Sequence, residues 1–388
     1  QWSIVEGVAT VMVDDEVRNY DRFDTVYIPM GASHRAVNNT NEPVVIIETG
    51  IGDILSKNDI HHVELKRVHA DGVTSVYVPD LIRLEPAFKD NLWGGTKLRT
   101  VFGKKCDYDV IGESWELSAH PDGQSVIADG IYKGMPFGEF LSVVGKDVCG
   151  WKCESLDRFP ILIKFIDARQ ALSIQIHPDD EYALEMEGEY GKNEMWYVVD
   201  AEPGAFLYYG FRQQITREEF ARRIEDNTLP EVLNAVPVCK GDCFYIPSGT
   251  VHAIGKGILI AEVQQNSDVT YRVYDYDRRD ATGKPRQLHT EQAEDVAKRT
   301  PPRDDYNFGG HLIRCEYFTV DRMTGSFTDV CDDESFTSLV ILDGNGTLIG
   351  ENEKMPLQKG DSFFLPANSG SYRVEGNTVI LKTRVGTI

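Results

Sequence analysis

Residues 242–252 read Asp-Cys-Phe-Tyr-Ile-Pro-Ser-Gly-Thr-Val-His. An acid opens the stretch, an apolar strand follows, and a Pro at the sixth position ends that strand because it has no N–H to give a sheet. A turn of small residues then carries the chain to a His at the eleventh position. The same pattern occurs twice more: residues 24–34 read Asp-Thr-Val-Tyr-Ile-Pro-Met-Gly-Ala-Ser-His, and residues 361–371 read Asp-Ser-Phe-Phe-Leu-Pro-Ala-Asn-Ser-Gly-Ser. Repetition of one strand–turn–strand unit indicates three copies of a β module. Their eleventh positions are His34, His252 and Ser371.

The motif resembles the second motif of the cupin jelly roll. The fold class this implies is mainly β: tandem cupin (double-stranded β-helix jelly roll) units, with helical insertions in the central unit. Glycine turns at Val5-Glu6-Gly7-Val8-Ala9 and Leu342-Asp343-Gly344-Asn345-Gly346 read as hairpins. The expected divisions are an incomplete N-terminal cupin over 1–65, a linker over 66–80, a large central cupin over 81–311 and a C-terminal cupin-like domain over 312–388. The linker is signalled by Lys66-Arg67-Val68-His69-Ala70-Asp71-Gly72, which breaks the strand alternation. Thr216-Arg217-Glu218-Glu219 is a capping box ahead of Phe220, Ala221 and Ile224. Shorter helices are expected over 136–144 and 180–186.

Composition sets outer bounds. The 388 residues suffice for two or three domains with their own cores. With 40 Lys and Arg against 62 Asp and Glu, the net charge of −22 argues against nucleic acid or an anionic membrane as partner. A small phosphorylated substrate stays compatible, because a cationic pocket can sit inside an acidic protein. No apolar run reaches the length of a membrane helix. Seven cysteines, an odd number spread over a long chain, predict reduced and mostly buried thiols and a cytoplasmic location. The CxxxC spacings Cys149/Cys153 and Cys239/Cys243 lack the tighter C-x2-C form of structural zinc sites. The sequence opens at Gln1-Trp2-Ser3-Ile4-Val5, within a strand pattern and without Met, so an upstream segment is expected.

The chemistry begins at residues 173–180, Ser-Ile-Gln-Ile-His-Pro-Asp-Asp. Gln175 and His177 stand two apart on a strand and share a face, while Ile174 and Ile176 take the other. Alone, such a pair is more often a satisfied polar contact than a site. Glu194, at the polar entrance to the strand Met-Trp-Tyr-Val-Val, and His252, closing the Asp-led motif, are the groups a jelly roll can bring to the same wall. One amide, two imidazoles and one carboxylate suit Zn²⁺ or a similar divalent ion, one per chain. Singly, Glu194 reads as a surface strand residue and His252 as a core histidine bonded to backbone.

Several ordered segments make the reading specific. Residues 172–180, Lys192-Asn193-Glu194, residues 246–254 and residues 262–272 resemble type I mannose-6-phosphate isomerase in its shorter bacterial form. The resemblance extends from Leu84-Glu85-Pro86 through Trp93-Gly94-Gly95 and Gly112-Glu113-Ser114-Trp115-Glu116 to the C-terminus. It implies that the unit over 81–311 is catalytic, with one zinc on Gln175, His177, Glu194 and His252. The same resemblance places Arg272 as the active-site arginine and Ser173, Lys164, Lys192 and Arg272 in the substrate pocket. Glu262 is a candidate base or, equally, a partner orienting a zinc ligand. Asp275 is another polar candidate, and reads more readily as a salt-bridged structural acid. Residues 1–65 resemble the cupin tail of bifunctional mannose-6-phosphate isomerase/mannose-1-phosphate guanylyltransferase proteins, with Gln1 where that family has a His. There His34 would be a solitary ligand, and both flanking cupins are expected to be metal-free.

Moving a proton between C1 and C2 of a sugar phosphate passes through a cis-enediol(ate). The step needs a Lewis acid, a base and a cationic anchor for the phosphate. Arg272 suits the anchor because its guanidinium stays charged and offers a fork of donors. Lys164 and Lys192 would add charge around the same anion. The expected activity is therefore a zinc-dependent aldose–ketose isomerase of carbohydrate metabolism, interconverting mannose 6-phosphate and fructose 6-phosphate. The alternatives are a non-catalytic sugar-phosphate-binding cupin and, less compatible with a Gln ligand, an Fe(II) oxygenase.

Overall fold

A computed structural model describes residues 1–14, 16–29, 32, 34–38, 44–48, 77–279 and 283–386. Most of the linker expected over 66–80 lies outside these residues, as do Met30, Gly31, Ser33 and the 52–55 segment. The chain divides into two compact units, residues 1–78 with 127–135, and residues 79–126 with 136–388. No helix among the described residues is long and apolar enough to cross a membrane.

The three Asp-led repeats share one local device. In each, the Asp carboxylate accepts the N–H three residues earlier: Asp24 from Asp21 at 2.8 Å, Asp242 from Cys239 at 2.8 Å, and Asp361 from Gln358 at 3.0 Å. The Asp N–H returns to the carbonyl of the same partner each time. An Asp side chain thus closes the turn that launches each strand, which is why that residue type opens every copy.

In the first unit, Trp2–Glu6 pairs with Thr25–Val26 and Val45–Glu48, while Ala9–Val13 pairs with Glu16–Tyr20 and His34–Val37. Ile4, Ala9, Val11 and Val26 form its core. The turn at Gly7 therefore passes the chain from one sheet to the other and closes no hairpin. His34 is exposed and meets the Trp2 ring edge-on at 5.0 Å.

In the second unit, the central cupin is two facing antiparallel sheets. The six-stranded sheet runs in the order Cys243–Ile246, Glu194–Ala201, Ile258–Gln265, Ile161–Ala168, Glu113–Leu117, Ala87–Lys89. The five-stranded sheet runs Leu233–Pro237, Phe206–Phe211, His252–Ala253, Ile174–Ile176, Tyr271–Tyr274. Ile166, Trp196, Val198, Leu207 and Ile260 belong to one core cluster. Ile174 and Ile176 instead pack in a second cluster with Phe220, Ile224 and Ala293 of the helices Arg217–Glu225 and Thr290–Val296. Those helices cover one face of the five-stranded sheet and leave Gln175 to the other. Thr216 caps the first of them, its hydroxyl accepting from the Glu219 N–H at 3.1 Å.

The C-terminal cupin packs on the central one within the same unit. Ile82–Glu85, far upstream in sequence, adds to its sheet by pairing with Ser362–Leu365. Phe137, Phe159, Phe336 and Phe364 form a ring cluster with centroids 5.0–6.3 Å apart. Gly344 and Gly346 do not turn a hairpin; they lie inside the thirteen-residue strand Thr337–Ile349, beside a bulge. A Cβ at Gly344 would stand 1.8 Å from the Asn377 carbonyl oxygen, so glycine there answers close strand contact. The seven cysteines form no disulfide; Cys149, Cys153 and Cys331 are buried, and Cys239 is exposed.

Candidate metal centre and active site

Sheet register decides which side chains meet. Gln175 lies directly opposite His252 on one neighbour and Arg272 on the other, so all three project from the same face. Across the barrel, Trp115 is opposite Lys164, Lys164 opposite Glu262, and Glu262 opposite Trp196. Glu194, two residues before Trp196, shares that inner face.

His177 lies one residue past its strand, held by two turns. Its carbonyl accepts the Gly249 N–H at 2.7 Å, and Pro178 O accepts the Lys192 N–H at 3.0 Å. Gly249 has φ of 78°, and a Cβ there would meet the Val296 carbonyl at 2.7 Å, so the Pro-Ser-Gly-Thr turn requires glycine. Asp179 then caps the helix Asp180–Met186 by accepting from the Tyr182 N–H at 3.0 Å.

Four groups converge. His177 Nε2 and His252 Nε2 are 3.2 Å apart, His252 Nε2 is 3.2 Å from Glu194 Oε1, and His177 Nε2 is 3.5 Å from Glu194 Oε2. The Gln175 amide lies beside them, its Nε2 3.5 Å from His252 Nε2, and the amide turned over would bring Oε1 to the same place. Each imidazole donates its Nδ1–H to a backbone carbonyl, Val269 for His177 and Thr250 for His252, both at 2.8 Å. The Nε2 lone pairs are therefore turned toward each other and toward the carboxylate. Burial holds His177 well below its usual pKa, with Lys192 and His252 adding to the shift. Burial likewise brings His252 down to about 4, and the Thr250 carbonyl only partly opposes it. Both rings are neutral at pH 7.

Neither buried Glu194 oxygen has a well-aligned hydrogen bond, although the Lys192 ammonium stands 3.0 Å from Oε2. Lys192 offsets part of the cost of that burial from one side, and the two imidazole lone pairs turned toward the same carboxylate supply donors that a cation between them would use. Donors about 2.0–2.1 Å from a tetrahedral Zn²⁺ stand about 3.4 Å from one another, and the His177, His252 and Glu194 atoms are spaced close to that distance. The residues present thus fit a single zinc-like ion. Among the described residues, no other three His, Cys, Asp or Glu side chains converge in this way.

Beside the ligands lies Glu262. Its Oε2 accepts the Trp196 indole N–H at 2.8 Å, while Oε1 is buried without a hydrogen bond. Burial, then Glu194, raise its pKa, opposed by Lys192 and Lys164. Glu262 makes no contact with the Nδ1 atoms of the histidines, whose partners are carbonyls. Lys192 Nζ is also 3.1 Å from His177 Nε2. Lys164 is buried among Glu113 Oε2 at 3.5 Å, Glu262 Oε1 at 3.7 Å and Asp268 Oδ1 at 3.8 Å. Its ammonium also lies 4.6 Å from the Trp115 ring centroid. Burial works against the Lys164 charge, but Glu113, Glu262 and Asp268 outweigh it and the pKa is raised.

Arg272 is half-buried. Its Nε–H donates to Ser173 Oγ at 3.3 Å and a terminal N–H to the Gln287 carbonyl at 3.1 Å. Burial and the neighbouring Arg286 lower its pKa, though a guanidinium stays charged at pH 7. No carboxylate pairs with it among the described residues, whereas Asp275 is claimed by both Arg278 and Arg286.

Sequence reading named neither Glu113, Trp115, Trp196 nor Asp268 as site residues. Trp196 was within reach, two residues beyond Glu194 on one strand. Asn193 was also missed: its side chain bonds Gln265 Oε1 and the Ser248 N–H, tying the Glu194 strand entrance to the His252 turn.

The chain is similar to known proteins along most of its length. The family described as phosphomannose isomerase type I, catalytic domain, matches residues 81–204, and that described as mannose-6-phosphate isomerase, cupin domain, matches 309–385. Residues 1–65 match mannose-6-phosphate isomerase C-terminal. Mannose-6-phosphate isomerase ManA of Bacillus subtilis is 42% identical over 305 residues, spanning 75% of this chain and 95% of that protein. The crystal structure of the mannose 6-phosphate isomerase from Bacillus subtilis superposes with a TM-score of 0.72 at 38% identity, covering 79% of this chain and 99% of that one. Over 59 residues the chain is 32% identical to the mannose-1-phosphate guanylyltransferase of Escherichia coli, 15% of this chain and 12% of that protein.

Proposed function

The chain belongs to the type I mannose-6-phosphate isomerase family and is an isomerase of that class, and from this premise we propose that it interconverts mannose 6-phosphate and fructose 6-phosphate with one Zn²⁺ on Gln175, His177, Glu194 and His252. The observation that carries the metal is the convergence of the buried Glu194 carboxylate with the Nε2 lone pairs of two neutral imidazoles. When bound, the ion supplies a Lewis acid for the substrate's carbonyl and hydroxyl oxygens.

The chain's own residues do the rest. Arg272, which pairs with no carboxylate among the described residues, takes the phosphate, steadied by Ser173. Glu262 Oε1, buried and free of hydrogen bonds, takes the proton from one carbon of the C1–C2 pair and returns it to the other through a cis-enediol(ate). Its indole partner on Oε2 fixes the direction of Oε1. The contacts favour this role over orienting a ligand, since the histidine Nδ1 atoms are already held by carbonyls. Lys192 places a charge where the oxyanion develops. Seven cysteines without a disulfide accord with a reducing cytoplasm.

A coupled assay comparing mannose 6-phosphate with free mannose tests the assignment. Turnover of the phosphate ester alone, with an Arg272→Gln variant raised in KM but unchanged in metal content, is the expected result. Equal turnover of free mannose would contradict it.

Lys192 also bears on the metal. Its ammonium stands 3.0–3.1 Å from two of the proposed ligand atoms, so it opposes a second cation there. Lys192→Met is expected to bind Zn²⁺ at least about tenfold more tightly in competition with a chromogenic chelator, while kcat falls. Unchanged or weaker binding would remove Lys192 from this role.

A further inference from the structure

We propose that Lys164, Glu113 and Asp268 form a polyol-binding corner of the pocket that grips hydroxyl groups of the sugar chain and excludes its phosphate. The inference rests on the isomerase reading above and adds to it a direction for the substrate.

Charge is the first argument. One ammonium stands among three carboxylates, Glu113, Glu262 and Asp268, so the corner is net negative and repels a phosphate. Sequence reading expected Lys164 to add charge around the phosphate, but its neighbours cancel that charge. Arg272, on the opposite sheet, forms no ion pair with a carboxylate among the described residues.

Distance is the second. At 3.5–3.8 Å the Lys164 contacts are long for direct hydrogen bonds, and no hydrogen bond from its ammonium is found among the described residues. An ammonium whose carboxylate neighbours stand this far off can donate to an oxygen placed between it and the acids. A hydroxyl satisfies both sides at once, accepting from the ammonium and donating to a carboxylate. A phosphate can only accept.

Rigidity is the third. Glu113 Oε2 accepts the Trp115 indole N–H at 2.7 Å and its Oε1 the Asn91 amide at 3.3 Å, so the carboxylate is aimed before any ligand arrives. Asp268, with 43% of its side chain exposed, stands at the open edge. Its neighbour Val269 gives the carbonyl that holds His177, so one short segment serves both the ligand set and this corner.

The test uses two non-reacting probes on the zinc-loaded full chain: a hexitol 6-phosphate, which keeps the hydroxyls but has no carbonyl, and hexyl phosphate, which keeps only the phosphate. Calorimetry on the wild type is expected to favour the hexitol ester by about 100-fold, because a site built around hydroxyls discriminates strongly against their loss. Glu113→Gln, of the same shape, should cut that preference about tenfold and leave hexyl phosphate binding unchanged. Asp268→Asn should act in the same sense, and Arg272→Gln should weaken both probes equally. A preference unchanged in both Glu113→Gln and Asp268→Asn, or both probes weakened alike in Glu113→Gln, overturns the corner while the isomerase reading stands. Failure of the wild type to bind either ester overturns both.

Discussion

Glu194→Gln is expected to leave a folded protein that holds no metal and turns over mannose 6-phosphate at background rate. Glu194 is the single anionic group among the four proposed ligands, and its two oxygens face both histidines at 3.2 and 3.5 Å. Glutamine keeps the shape but removes the charge that makes the pocket attractive to a dication. Removing even an outer partner of a metal ligand costs about 10–100-fold in affinity, so losing the charged ligand itself should exceed that. Losing several kcal/mol of Lewis-acid stabilisation corresponds to about 10³–10⁴-fold in rate. Thermal unfolding separates this from misfolding. Wild-type protein should gain stability on addition of Zn²⁺ because the ion binds only the folded state, and the variant should gain none. A variant that retains stoichiometric zinc would remove Glu194 from the ligand set.

Glu262→Gln is expected to act oppositely on the two observables. Metal content should be intact, because Glu262 forms no hydrogen bond with the four ligands among the described residues, while kcat falls by about 10²–10⁴-fold with little change in KM, as for loss of a positioned base. The amide can still accept the Trp196 indole N–H, so the fold has no reason to change. The pH profile supplies a second readout. Burial and Glu194 raise the Glu262 pKa, and a base works only when deprotonated. Turnover should therefore be full above the raised pKa and fall as pH drops through it, with the acid limb above the ordinary carboxylate value of about 4.3. In Glu262→Gln the residual rate should lose that limb. A variant with lost metal and unchanged acid limb would instead make Glu262 a partner of the ligands.

The residues explain why some of this could be read from sequence and some could not. Each step of the 242–252 motif is local chemistry: an Asp that closes its own turn, a Pro that ends a strand, a Gly at positive φ. Such features survive in a one-dimensional string, and they gave the jelly roll. Gln175 and His177 were legible for the same reason, by period two and a following Pro. The two glycine turns misled because Gly7 crosses between sheets and Gly344 sits in a strand where a side chain would collide with Asn377. Both look like hairpin glycine in sequence, since the need for a small residue is common to all three settings. The Lys164 corner was illegible for a different reason. Glu113, Lys164 and the stretch holding both Glu262 and Asp268 are three separated segments, and the register Trp115–Lys164–Glu262–Trp196 is what brings them together. Lys164 alone, inside the apolar run 161–166, signalled that a buried cation needed partners without naming them.

The central claim is that Gln175, His177, Glu194 and His252 hold one zinc on which isomerisation depends. Its most direct test is metal content and mannose 6-phosphate turnover measured on the same preparation, before and after EDTA and again after Zn²⁺ is restored. The expected result is one zinc per chain, activity lost with the metal and regained with it in proportion, and neither zinc nor activity in His252→Ala. Full turnover by metal-free protein would contradict the account.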